Sequence, residues 1–206
     1  VAFVGVRDER TGAHMADGYA RASGQAGVVI AGQNGPGATN LATGLAQAAA
    51  AYSPVVAIAG ALSTAHVYRD AFQEVDQQAL FRPITKKTWT VPQARRIPEL
   101  VREAFRTATT PRCGPVVLNV ARDMLAETAR FEPSGGPAGR QAFGACGGAL
   151  HARPGLKARE EFPGHTQNDR IVFAVALDTI DVIVVTGAAH HVETREEVAA
   201  GGDPLL

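Results

Sequence analysis

Cysteine is nearly absent: Cys113 and Cys146 are the only two in 206 residues. Two thiols cannot build a disulfide framework or a metal knuckle. They fit a reducing compartment, with a single bridge as the alternative, and are expected to be inert. Neither sign of charge is in excess, because twenty Lys and Arg balance twenty Asp and Glu. That argues against a nucleic-acid partner, which favours a basic surface, and leaves room for a small anionic substrate in one local pocket. No apolar run approaches the roughly eighteen residues of a membrane span, and no cationic start followed by an apolar stretch marks a signal peptide. A cytoplasmic protein with no membrane partner is expected. The nucleotide patterns GxxxxGK[ST] and GxGxxG are missing, and no internal repeat occurs. An initiator methionine is missing too. "VAFVGV" (1–6) reads as a strand entered in mid-fold, so the expectation is a fragment, a processed chain or a chain without its beginning.

What is present is a substantial apolar fraction, 46%, enough for a real core. Short continuous apolar runs, 1–6, "GVVIAG" (27–32), "PVVAIAG" (54–60) and "PVVLNV" (115–120), with a further candidate strand at "KKTWTV" (86–91), alternate with helical patterns. The helices are expected over 11–22, about 38–51 and 95–108, the last with Ile97, Leu100, Val101, Ala104, Phe105 and Ala108 on one side. Buried strands alternating with helices predict a parallel sheet covered on both faces, whose ligands bind beyond the carboxyl ends of the strands. Gly24 is placed to end the first helix. Gly18, inside that helix, is expected to serve close packing. Composition changes near Phe131, where Gly, Pro and charge dominate. The expected division is a first domain over 1–130, an irregular linker over 131–170 and the start of a second domain over 171–206. Residues 171–177 suit a helix or a strand, and 181–187 a strand.

Three features fall on the ligand edge. The turn "QNGPG" places Gln33, Asn34, Gly35, Pro36 and Gly37 between a strand and a helix. Glycine permits positive φ and close backbone approach, and the amides add donors and acceptors. The same turn could equally serve packing alone. Glu9 follows a buried strand and enters the first turn of a helix, where a carboxylate is favoured. It is either helix-end electrostatics, with Arg7 and Arg10 beside it, or a carboxylate held at the ligand edge for proton transfer. "DAFQEVDQQALF" (70–81) sets Phe72 among polar residues and Gln73 and Gln77 four apart on a helical face; it either lines a pocket or is a capped surface helix. His14, Lys86 and Lys87 are expected at ordinary surface or packing positions, Asn119 and Arg122 in packing and hydrogen bonding. His190 and His191 resemble a metal pair only at first sight, since adjacent side chains diverge.

In "ERTGAHMADGYARASG", "GVVIAGQNGPGATNLATGLAQA", "SPVVAIAG", "AFQEVDQQALFRPITKKTWTV" and "GPVVLNVARDML" the chain resembles the pyrimidine-binding domain of thiamine-diphosphate-dependent enzymes, from residue 1 to about 125. The resemblance implies an α/β parallel-sheet thiamine-diphosphate-binding fold, incomplete at its N-terminus and followed by a partial second domain. It implies thiamine diphosphate and Mg²⁺ as cofactors of the complete enzyme. Glu9 matches the family glutamate that bonds N1′ of the aminopyrimidine and supports proton transfer from the thiazolium. Gln33 to Gly37 would face the pyrimidine or the substrate entrance, and Phe72 and Gln73 would lie near a partner subunit's cofactor. "QNGPG" followed by "FQEVDQQALF" resembles sulfoacetaldehyde acetyltransferase, which releases sulfite and passes acetyl to phosphate. "HMADGYARASG" and "ITKKTW" equally resemble acetolactate synthase, which joins 2-oxo acids after decarboxylation. The family's diphosphate domain carries a GDG motif and a metal site; no GDG occurs here, and no metal ligand is assigned. The chain is thus expected to hold half a site, completed in a homodimer, a homotetramer or a partner carrying the diphosphate domain; a non-catalytic assembly partner is the further alternative. Asp8 stands where the family usually has histidine, and a second carboxylate beside Glu9 is expected to raise one of the two pKa values if both are buried.

Overall fold

The computed structural model describes residues 2–32, 34–128 and 182–186. Along the chain run β1 (Ala2–Val6), α1 (Glu9–Ser23), β2 (Gly27–Ala31), α2 (Pro36–Ala50), β3 (Val55–Ala61), α3 (Gln77–Phe81), β4 (Lys87–Thr90), α4 (Ile97–Thr109), β5 (Val116–Ala121), α5 (Arg122–Leu125) and β6 (Val182–Thr186). The strands form one parallel six-stranded sheet in the order β1-β6-β2-β3-β5-β4.

The continuous apolar strands follow from burial on both faces. Val28 and Ile30 of β2, Val56 and Ile58 of β3 and Val116 and Leu118 of β5 join Leu100, Val101 and Ala104 of α4 in one core. The alternate residues, Val29, Val55, Ala57 and Val117, pack with Ala13, Ala16, Leu41 and Leu45 of α1 and α2. Strand alternation thus feeds two cores from the same segments, as the sequence pattern predicts.

Small residues set the spacing of the second layer. A Cβ on Gly44 would collide with that of Ala13, and one on Gly27 would run into the backbone of Ala16. Glycine at these two positions lets α1 lie against α2 and β2. Gly18 does not share the role assigned to it: it is exposed, and a Cβ there would meet nothing within 4 Å. Gly24 ends α1 at φ 71, its N–H bonded to the Ala20 carbonyl.

Two boundaries differ from the periodicity. α1 begins at Glu9 because the Asp8 side chain caps it, accepting from Arg10 N. α2 begins at Pro36, whose fixed φ suits a first helical position. The expected helical face over 70–81 is not formed, since only Gln77–Phe81 is helical, capped by Asp76. Gln73 lies in the preceding loop at φ 64, a backbone conformation that no helix contains.

The range assigned to a second domain contributes one described segment, Val182–Thr186. It sits in the first domain's sheet, between β1 and β2 and parallel to both. Residues 171–177, His190, His191 and all of the expected linker over 131–170 lie outside the described residues.

Candidate functional site

The site is built where strands end and helices begin. β1 ends at Val6, Asp8 caps α1, and Glu9 is the first helical residue. Asp8 turns to Arg10 in a two-point ion pair, with Arg10 Nη2 2.6 Å from Asp8 Oδ2. That partner, with the capping N–H, holds the Asp8 carboxyl down at about 2. The expected like-charge effect therefore does not fall on Asp8: its charge is neutralised by Arg10 instead of facing Glu9. Glu9 is half-buried, and its Oε2 accepts a hydrogen bond from Asn40 Nδ2 at 3.1 Å. Its Oε1 carries no hydrogen bond among the described residues.

The second wall is the β2–α2 turn. Gly35 is buried at φ 59, ψ −108, a region open to glycine and closed to L side chains. Its carbonyl accepts from Thr39 N at 2.8 Å, opening the helical ladder of α2. Pro36 is exposed and Gly37 buried; Gln33 lies outside the described residues.

The third wall is the loop before α3. Asn34 Nδ2 donates to the Gln73 carbonyl at 3.3 Å, and a Cβ on Gly35 would lie 2.5 Å from that same oxygen. The loop is pinned at both ends. Thr64 N and its hydroxyl donate to the Asp123 carboxylate, and buried Gln77 donates from Nε2 to the Gly60 carbonyl at 2.9 Å. Within it, Glu74 accepts from Tyr68 N at 2.6 Å and Ala71 N at 3.1 Å, and these N–H groups hold its carboxyl below the usual range. The frame leaves Tyr68 and Phe72 projecting, 95% and 86% exposed.

The structure thus joins Asn34, Gly35 and Gln73 by direct contact and ties Glu9 into the helix that starts at the same turn. Sequence reasoning missed Asn40. Its signal lay in spacing: Asn40 is one helical turn before Gly44, and Glu9 one turn before Ala13, two residues that pack against each other between α1 and α2. The remaining candidates lie elsewhere. Lys86 Nζ donates to the carbonyls of Thr107 and Thr110 at 2.5 and 2.8 Å, capping α4, and partial burial lowers its pKa. Lys87 stands over the Trp89 ring, and His14 is exposed. Asn119 is buried, its backbone carbonyl accepting from Val91 N, while Arg122 is exposed. Cys113 is disulfide-bonded, the single-bridge alternative instead of a free thiol; Cys146 lies outside the described residues. Among the described residues no group of three or more His, Cys, Asp or Glu could hold a metal ion, and no helix is long and apolar enough to cross a membrane.

Residues 1–80 match the model of the thiamine pyrophosphate enzyme N-terminal TPP binding domain. Similar proteins include a probable acetolactate synthase large subunit of Methanocaldococcus jannaschii, 50% identical over 118 residues, covering 57% of this chain and 20% of that protein. The corresponding protein of Methanococcus aeolicus is 49% identical over 118 residues, with the same shares covered. The acetolactate synthase isozyme 3 large subunit of Escherichia coli is 43% identical over 120 residues, covering 58% of this chain and 21% of that protein. The chain therefore spans about a fifth of the length of these relatives. It carries an N-terminal domain with the α/β parallel-sheet TPP-binding fold, homologous to that of acetolactate synthases.

Proposed function

We infer that the chain is the aminopyrimidine-binding part of a thiamine-diphosphate-dependent carboligase of the acetolactate synthase kind. In that reaction pyruvate loses carbon dioxide and its two-carbon unit joins a second 2-oxo acid. The observation that carries this reading is the Glu9 carboxylate, half-buried at the carboxyl edge of a parallel sheet with one oxygen fixed by Asn40. Homology to named acetolactate synthases supports the carboligase over the sulfoacetaldehyde reaction, which none of these relatives is named for.

The residues fit the aminopyrimidine ring. Glu9 Oε1 can hold a proton toward N1′, because Oε2 is already committed to an amide donor. Gly35 has no side chain, so the turn lies directly against Gln73, where a Cβ would not fit, and closes that wall of the site. Thiamine diphosphate, when bound, supplies the nucleophilic carbon and the electron sink for decarboxylation. This chain's part is to bind and orient the ring and to place one proton. The diphosphate and Mg²⁺ belong to another domain, of this protein or of a partner subunit. The projecting Tyr68 and Phe72 support such an association, since large exposed apolar side chains suit an interface.

The test is to express the complete reading frame and supply thiamine diphosphate and Mg²⁺. Acetolactate formed from pyruvate is the expected result. Acetyl phosphate and sulfite formed from sulfoacetaldehyde and phosphate, with pyruvate untouched, would replace the carboligase reading.

A further inference from the structure

The structure assigns Asn40 a role beyond helix packing: it is the positioning residue for the Glu9 carboxylate, an inference that rests on the reading of Glu9 just given. The two side chains come from different elements, 31 residues apart, and meet at 3.1 Å. Their meeting is set by register. α1 and α2 each follow a strand of one parallel sheet, so they run the same way. Gly44 admits Ala13 where the two helices pack together. One turn earlier on each helix, the same two faces bring Asn40 opposite Glu9.

The chemistry of the pair is specific. A carboxamide N–H donates at every working pH and brings no charge of its own. It fixes which way the carboxyl plane faces and commits Oε2, so that Oε1 is the oxygen left for a ligand. A lysine would neutralise the carboxylate, and an aspartate would compete with it for a proton. Asp8 is paired with Arg10, and among the described residues Asn40 alone donates a side-chain hydrogen bond to Glu9. Asn40 is half-buried, so the pair is held away from full solvent competition.

Two measurements test this. In the cofactor-free full chain labelled with ¹⁵N-asparagine, the Asn40 side-chain amide protons shift with acid titration in the wild type and not in Glu9→Gln. An unchanged titration in Glu9→Gln would overturn the pairing, whatever cofactor the protein uses. In the complete enzyme, Asn40→Ala is expected to lower kcat about 10-fold with KM for pyruvate little changed, and to have less than about a 2-fold effect in a Glu9→Gln background. An equal loss in both backgrounds would show that Asn40 does not act through Glu9. If Glu9→Gln itself leaves turnover unchanged, the reading of Glu9 fails, and the amide titration still decides the pairing.

Discussion

A Cβ on Gly35 would lie 2.5 Å from the carbonyl oxygen of Gln73, an oxygen that already accepts from the Asn34 side chain. Two separate sequence features, the turn after β2 and the loop before α3, are thereby locked together by the absence of one side chain. Gly35→Ala meets both a forbidden backbone region at φ 59 and this contact. It is expected to destabilise the domain by about 1–3 kcal/mol, read as a lower urea midpoint at unchanged slope, and to weaken cofactor binding by the complete protein. Wild-type stability would show that the turn can relax.

Glycines at Gly44 and Gly18 answer oppositely to the same change. Gly44→Ala drives a methyl into Ala13 and separates α1 from α2, at a cost of about 1–3 kcal/mol. Gly18→Ala fills open space on an exposed helix and is expected to stabilise by about 0.5–1 kcal/mol. Thermal melts of the two variants check both signs.

Asp8 carries a pH prediction. Its folded pKa, about 2, lies below its ordinary value of 3.8 because of Arg10. A depressed carboxylate contributes stability above the unfolded pKa and loses it as pH falls through the folded one. The Asp8 contribution is therefore full above about pH 4 and fades toward pH 2. Carboxyl NMR titration should show Asp8 ionised at pH 3, and Arg10→Ala should return its midpoint toward 3.8.

Among the described residues β1 joins the sheet through β6 alone. A proline at position 184 removes a ladder N–H from the middle of that strand. Val184→Pro is expected to speed amide exchange in Ala2–Val6 while β3 and β5 stay protected. Equal protection of β1 in both proteins would show that it does not depend on β6.

Much of the fold is legible in the residues. Runs such as Val28–Ile30 and Val116–Leu118 announce strands buried on both sides, and Ile97 to Ala108 repeats at helical spacing. Gly24 as a stop and Glu9 at the start of α1, just beyond the end of β1, follow from the same rules. The loop 70–81 misleads because Gln73 and Gln77 have helical spacing, but Asp76 caps a helix that starts only at Gln77. Gly18 misleads because a glycine in a helix has two explanations, and only its neighbours choose between them. Asn40 stayed hidden because its partner lies on another helix, and the register between helices is set by Gly44 and Ala13 rather than by anything beside Asn40. The sheet position of Val182–Thr186 is likewise a pairing choice that strand composition does not encode.

The most direct test of the account is Glu9→Gln in the complete protein loaded with thiamine diphosphate and Mg²⁺. Glutamine keeps the size and can still accept from Asn40, but it cannot exchange a proton with the ring. The melting curve should stay close to wild type while turnover of pyruvate falls about 10²-fold or more. Turnover equal to wild type in a folded, cofactor-bound Glu9→Gln protein would contradict the account.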